Sequence, residues 1–284
     1  MKHPHQKNIR EVIGLVPAGG KARRIAPLPC SKELYPVGFH SMGCGRSLRP
    51  KVVAQYLLEK LKFANINKAY IILRNGKWDI PAYFGDGRML DMHLAYLMMN
   101  APFGVPYTLD QAYPFVEDAI VALGFPDVIF QPDDAFVKLL DKLDESQADI
   151  VLGIFPALNP GKTDMVELGP NGQIRSIHIK PVRTKLVYAW ELAVWRPKFS
   201  RFMHDYILPK KVVDYGNVYA SQLDERNELH IGNVIQEALV KELKVEGVIF
   251  KDGSCLDIGT PEDMGKALQS NAKSFKAPGG GQKH

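Results

Sequence analysis

Over roughly its first 155 residues this chain alternates short apolar runs with segments of helical apolar spacing, and no other feature constrains its fold as tightly. Val12–Val16 is an apolar run that ends in Pro17-Ala18-Gly19-Gly20, the pattern of a buried strand entering a glycine turn. Val52, Val53, Tyr56, Leu57 and Leu61 give Lys51–Leu61 the spacing of a helix. Lys68–Leu73 reads as a second buried strand, Gln111–Leu123 as a helix and Asp127–Gln131 as a strand. Asp133–Leu143 reads as a helix capped by Asp133 or Asp134, and Ala148–Phe155 as a further strand. Strands that alternate with helices in this way belong to a parallel, doubly wound α/β sheet.

After that point the pattern changes. Met165–Leu168, Ile174–Ile179 and Lys185–Trp195 read as strands in close succession, broken by the turn Gly169-Pro170-Asn171-Gly172. Helical spacing returns at Ile231–Val240. Val245–Phe250 reads as a strand, and Pro261–Leu268 as a last helix with proline in its first turn. The expected architecture is a Rossmann-like mixed, mainly parallel sheet flanked by helices, with a small β-rich lobe. No repeat of fixed period and no hexapeptide array is present. The 284 residues suffice for one large core, and one domain over residues 1–272 is expected, its two halves meeting near residue 155. Residues 273–284, rich in Gly and Lys, read as a disordered tail.

A net charge of +5 without a dense Lys/Arg block suits small anions better than nucleic acid, and ordinary surface lysine gives the same balance. Cys30, Cys44 and Cys255 are odd in number and match neither a zinc site nor a disulfide framework. A reducing, cytoplasmic setting is expected. Met1–Glu11 has no secretory apolar region, and no apolar run approaches the roughly 20 residues that span a bilayer, so no membrane partner is expected.

The most informative segment runs from Leu15 to Val37. Gly19 and Gly20 carry no Cβ, so a ligand can approach the backbone there, and their N–H groups can donate to phosphate oxygens. Arg24 and Lys32 add full charge, one as a fork and one as a point. The segment is neither a Walker loop nor a GxGxxG fingerprint. A plain strand-to-loop turn is the alternative for the glycines alone.

Ala18-Gly19-Gly20, Arg24-Ile25 and Ser31-Lys32-Glu33-Leu34-Tyr35-Pro36-Val37 together resemble the signature of nucleotide-sugar pyrophosphorylases, most of all the glucose-1-phosphate thymidylyltransferase and uridylyltransferase branch. The resemblance covers about residues 10–272. It implies that residues 10–155 form a nucleotide-binding half and 156–272 an acceptor-binding half. It implies that Ala18, Gly19, Gly20 and Lys21 line the triphosphate, with Arg24 and Lys32 catalytic. Two positions depart from the pattern: Ala22 stands for a glycine and Arg23 for a threonine. Arg23 is either an added phosphate contact or a solvated charge.

Nucleotidyl transfer needs a divalent cation on the triphosphate, and Mg²⁺ takes one or two carboxylates plus phosphates. Asp127, in Phe-Pro-Asp-Val, and Asp257, in Leu-Asp-Ile-Gly-Thr, stand where the resemblance implies metal ligands. Read alone, each is equally a strand-end or cap acid. Thr108-Leu-Asp-Gln111-Ala resembles the family's base-binding Gly-Leu-Ala-Gln-Ala, with Thr108 replacing the glycine. Lys180 stands at the lysine that binds the sugar phosphate. The sugar-reading residues differ: Thr163-Asp164 replaces Tyr-Gly, Ile179 a glutamate, and Trp190-Glu191 a Thr-Gly. Asp164 and Glu191 are therefore candidates to read other hydroxyls or an amine. The stretch Phe39–Leu48, with Gly43 and Gly45, is longer than the corresponding loop and is either a cover or a tolerated insertion.

The resemblance implies transfer of a nucleoside monophosphate from a nucleoside triphosphate to a sugar 1-phosphate, with release of diphosphate. Two alternatives stay open: a non-sugar acceptor such as phosphocholine or a phosphonate, and a non-catalytic regulatory protein that binds nucleotide sugars. A homo-oligomer is expected by analogy alone.

Overall fold

A computed structural model describes residues 10–41, 48–99, 103–216 and 228–273. Cys44, the glycines at 43 and 45, and residues 274–284 of the tail read as disordered lie outside the described residues, while Lys273 ends the last helix. The strands are β1 (Val12–Pro17), β2 (Pro36–Ser41), β3 (Leu48–Val52), β4 (Lys68–Arg74), β5 (His93–Met99), β6 (Ile120–Leu123), β7 (Val128–Gln131), β8 (Ile150–Pro156), β9 (Met165–Leu168), β10 (Ile174–His178), β11 (Tyr188–Trp195), β12 (Val245–Ile249) and β13 (Ser254–Asp257). The α-helices are α1 (Val53–Phe63), α2 (Asp79–Phe84), α3 (Val105–Asp110), α4 (Tyr113–Val116), α5 (Ala135–Ser146), α6 (Pro197–Gly216), α7 (Ile231–Val240) and α8 (Pro261–Lys273).

Among the described residues, nine strands form one mixed sheet. β1 lies between β4 and β6, parallel to both, and β4 continues in parallel to β5. β11 runs antiparallel to β6, β8 and β9, and β12 is parallel to β8. Strands from before and after residue 155 thus share the sheet. Two antiparallel ribbons stand apart, β2–β3 and β7–β13. This is the α/β, mainly Rossmann-like arrangement that the alternation predicts.

The side-chain alternation of the strands divides the core. Ile13 and Leu15 of β1 face α3, α4, α6 and α7, through Leu109, Val116, Phe199 and Ile235. Val16 faces α1 and α5, through Leu57, Leu61, Phe136 and Leu139. Burying one such side chain contributes about 1.5–3 kcal/mol, so helices cover both faces. A third cluster joins Ile25, Val37, Val53, Ile258 and Met264, which seats α8 beneath the basic loop.

The helix expected over Gln111–Leu123 does not exist as one element. Pro114 lacks the N–H that a helix interior needs and its ring crowds the preceding turn. The segment instead carries α4 and then β6, whose four residues are all buried and pair with β1. Asp134 holds the N-cap position of α5 without a side-chain cap bond, and Asp133 pairs with Lys60 instead. Among the described residues no helix is long and apolar enough to cross a membrane. Cys30 and Cys255 are free thiols.

Candidate functional site

Parallel strands deliver their following loops to one edge of the sheet, where α/β proteins place ligands. β1 ends in the glycine turn and β6 in the loop to Asp127. The Ala18 N–H donates to the Ile72 carbonyl of β4 at 2.8 Å, which fixes the turn's start. A Cβ on Gly19 would lie 3.0 Å from the Met99 sulfur and 3.9 Å from Thr108 Oγ1, so the turn rests against the start of α3. Thr108 is buried there, and Gln111, at the end of α3, donates to the Tyr107 carbonyl at 3.3 Å. Ala22 has φ of 52°, the left-handed conformation that glycine adopts most readily. The loop therefore keeps the glycine-type path despite the methyl group. The Ile25 and Ala26 N–H groups both donate to its carbonyl, at 3.1 and 3.0 Å.

Asp127 and Asp257 come together because β7 and β13 form a ribbon in which Asp257 faces Val128. The Ile258 N–H donates to the Asp127 carbonyl at 3.0 Å. Lys32 pairs with Asp127, and Arg24 approaches Asp257 at 3.8 Å. The Arg24 contact is long and exposed, so it adds little stability. The two cations and the two carboxylates named from sequence thus meet at one place. Gly259 permits it: a Cβ there would lie 2.6 Å from an Arg24 guanidinium nitrogen and about 3 Å from the Asp257 oxygens.

The charges are strained against one another. Burial alone would lower the Lys32 ammonium's pKa, but Asp127, with Asp257 and Glu33 farther off, holds it above the usual lysine value. Burial would raise Asp127, yet Lys32 holds its carboxyl low. Burial and the neighbouring Asp127 push Asp257 up, against the pull of Lys32 and Arg24. Among the described residues no group of three or more acid, His or Cys side chains forms a ready metal cage. The two hard carboxylates of the ribbon do fit Mg²⁺, which is usually completed by substrate phosphates and water.

Lys180 and Asp164, two of the residues expected to bind the acceptor, converge with His230. Lys180 has φ of 37°, and its backbone N–H, with that of Gly232, donates to the Asp164 carboxylate. Asp164 is buried, which pushes its pKa to about 6 in spite of those bonds and of the Lys180 charge. A strained backbone held by a buried acid is a feature of pre-organised sites. The Lys180 ammonium lies 3.4 Å from His230 Nδ1, and burial together with Lys180 lowers the His230 pKa, which leaves the imidazole neutral. His230 also holds the N-cap position of α7, where its carbonyl accepts from the Asn233 N–H at 3.0 Å and its own N–H donates to Asn233 Oδ1 at 3.1 Å. Nothing in its sequence neighbourhood marks it, because the capping partner comes from a cap type that sequence rules do not favour.

Glu191 sits at a β-bulge, where the β11–β8 register shifts between Trp190 and Leu192. Bulges re-aim a side chain, and Glu191 lines a hollow with Leu158, Lys162, Thr163, Cys255 and Asp257. Its side chain has no hydrogen bond or ion pair among the described residues. Burial, then Asp257, Asp164 and Asp127, push its pKa to about 8. An unfolded glutamate titrates near 4.5, so between these values the folded chain binds more protons, and stability falls as pH rises from 4.5 through 8. Glu191→Gln is expected to flatten that slope and raise Tm at pH 8 in metal-free buffer. Thermal unfolding across pH checks this, and an unaltered slope would contradict the acidic surroundings assigned to Glu191.

A mixed α/β sheet with a glycine turn, a basic loop and paired carboxylates at its ligand-binding edge defines a nucleotidyltransferase-type protein. The nucleotidyl transferase family model matches residues 13–274, and the chain belongs to that family. It is 25% identical over 258 residues to the glucose-1-phosphate thymidylyltransferase of Actinoplanes sp., a match covering 90% of this chain and 76% of that protein. It is 26% identical over 175 residues to the Streptomyces griseus enzyme of the same name, which covers 60% of this chain. That match spans 45% of the Streptomyces protein, about half its length. The crystal structure of a UDP-glucose pyrophosphorylase complexed with UDP-glucose has the same fold, with a TM-score of 0.73 at 14% identity over 93% of this chain and all of that one.

Proposed function

We propose that this chain is an Mg²⁺-dependent nucleotidyltransferase that joins a nucleoside monophosphate to a sugar 1-phosphate and releases pyrophosphate. The observation that carries the proposal is the meeting of Arg24 and Lys32 with Asp127 and Asp257 beside the glycine turn. The likeness to glucose-1-phosphate thymidylyltransferases and to a UDP-glucose pyrophosphorylase supports a thymidine or uridine triphosphate and a hexose 1-phosphate.

Backbone N–H groups of Gly19 and Gly20 hold the triphosphate, with Lys21 and Arg24 over its oxygens. Thr108 and Gln111 stand at the base end. Mg²⁺, when bound by Asp127 and Asp257, neutralises charge on the triphosphate. Lys180 anchors the acceptor phosphate. One of its oxygens attacks the α-phosphorus in line: the new P–O bond forms as the bond to the β-phosphate bridging oxygen breaks, and pyrophosphate leaves with that electron pair. The Lys32 ammonium meets the charge that grows on the α-phosphate and the leaving group. No general base is needed, because a phosphate dianion is already nucleophilic, so positioning and electrostatics supply the acceleration.

A second reading, a phosphorylated acceptor that carries a cation, such as phosphocholine or an aminated phosphonate, is favoured by Glu191 alone. Its carboxyl has no partner among the described residues and lies near other acids, so a cationic acceptor would draw off its proton and meet a carboxylate there. The test is a panel of acceptors (glucose 1-phosphate, amino-sugar 1-phosphates, phosphocholine and a phosphonate) with each triphosphate and Mg²⁺, read by pyrophosphate release. Release with a sugar 1-phosphate, abolished by chelation, is the expected result. Release with phosphocholine or the phosphonate alone selects the second reading. Ligand binding without release under any pairing overturns both and leaves a regulatory protein.

A further inference from the structure

The segment from the end of β4 to the first residue of α2 carries no residue expected to touch either substrate, yet it grips the segment bearing Lys32 on both sides. Ahead of Lys32, the Ser31 N–H donates to Asp79 Oδ2 at 2.6 Å and the Ser31 hydroxyl to Asp79 Oδ1 at 2.7 Å. Behind it, the Lys77 ammonium donates to Glu33 Oε1 at 2.5 Å. Both side chains of that second pair are almost wholly buried, at 6% and 2% exposure, and Glu33 Oε2 is buried without a partner. Burial pushes Glu33 up and Lys77 down, against their mutual attraction. A buried pair that is incompletely satisfied is a poor source of stability. What it does is fix geometry: Ser31 and Glu33 are the chain neighbours of Lys32, and both are tied to the β4–α2 connection, Glu33 to its loop and Ser31 to the first residue of α2. That connection is set in turn by β4, which pairs with β1.

We infer that Lys77 and Asp79 are positioning residues that set the pose of the Lys32 ammonium over the reacting phosphates, through Glu33 and Ser31. The inference rests on the nucleotidyl-transfer reading for its kinetic form. Lys77 and Asp79 do not reach the substrates themselves. Their effect passes through Lys32, and a displacement of that ammonium by about 1 Å is enough to cost one to two orders of magnitude in rate.

The experiment is a double-mutant cycle on the full chain: wild type, Asp79→Ala, Lys32→Ala and the double variant, with Lys77→Met run as a second cycle. In the wild-type background Asp79→Ala is expected to lower kcat by roughly 10- to 100-fold, with only a few-fold rise in the triphosphate KM. In the Lys32→Ala background the same change is expected to have less than about a 2-fold effect, because the group it positions is gone. Asp79→Asn, which keeps one acceptor oxygen for Ser31, is expected to recover part of the rate. Equal losses in both backgrounds, or no loss in either, overturn the inference. If circular dichroism shows Asp79→Ala unfolded, Asp79→Asn and Ser31→Ala take its place in the cycle. If the wild type releases no pyrophosphate with any pair, the nucleotidyl-transfer reading has failed separately. The cycle is then read on the Kd of thymidine triphosphate with Mg²⁺, where non-additivity upholds the positioning role and additivity overturns it.

Discussion

Lys32→Met is expected to slow pyrophosphate release by roughly 10²- to 10³-fold, the usual consequence of removing a pre-organised charge from a developing oxyanion. Its triphosphate KM should rise far less, since the glycine turn and Arg24 remain. The variant should also lose stability in metal-free buffer. Lys32 is the partner that holds the Asp127 carboxyl low, and removing one member of a largely buried pair leaves an uncompensated charge, typically at a cost of about 3–5 kcal/mol. Mg²⁺ supplies the missing positive charge, so added Mg²⁺ should raise the melting temperature of the variant more than that of the wild type. Steady-state kinetics and thermal unfolding with and without the ion check both halves. Turnover within a few-fold of wild type would remove Lys32 from the mechanism.

Asp257→Asn makes the opposite separation of stability from activity. Burial and Asp127 already push the Asp257 carboxyl up. Replacing it by an amide relieves that repulsion, so the ligand-free melting temperature should hold or rise. Activity should fall by on the order of 10²-fold or more, because charge stabilisation at the triphosphate depends on the cation it helps to hold. The Mg²⁺ concentration for half-maximal rate should shift upward with it. Groups that a fold would be better off without are characteristic of functional sites. A variant that loses stability and keeps its metal dependence would contradict this role for Asp257.

The parts of the structure that rest on local pattern were legible. Val12–Val16, Met165–Leu168 and Ile231–Val240 agree with β1, β9 and α7 to within a residue. These are the segments in which apolar period and chain punctuation agree. Gln111–Leu123 departs from the expected helix because Pro114 interrupts it, and a four-residue buried strand leaves no period to read. The ribbons β2–β3 and β7–β13 were missed in part or whole. Their partners are set by long-range pairing, and their strands carry polar residues such as His40, Arg49 and Ser254.

For the site, the charged residues were visible and their supports were not. Arg24, Lys32, Asp127 and Asp257 lie in the short motifs that carry the family resemblance, which is what implies phosphate and metal roles for them. Glu33, Lys77 and Asp79 are acidic and basic residues like many surface ones, and only burial and contact distinguish them. His230 meets Lys180 from 50 positions away, and the bulge at Glu191 depends on β8, so neither shows in the local sequence. The acceptor side was the hardest to read for this reason: it is assembled across the sheet from residues 164, 180, 191 and 230, with no motif containing two of its chemical groups.

The ribbon of β7 and β13 has a consequence for the chain as it is made. One of its strands is synthesised near the middle of the polypeptide and the other close to the last helix. The carboxylate at 127 waits for its counterpart through 130 further residues. On the proposed mechanism the pair that holds the cation is complete only when β13 zips onto β7, so a chain stalled before β13 is expected to release no pyrophosphate.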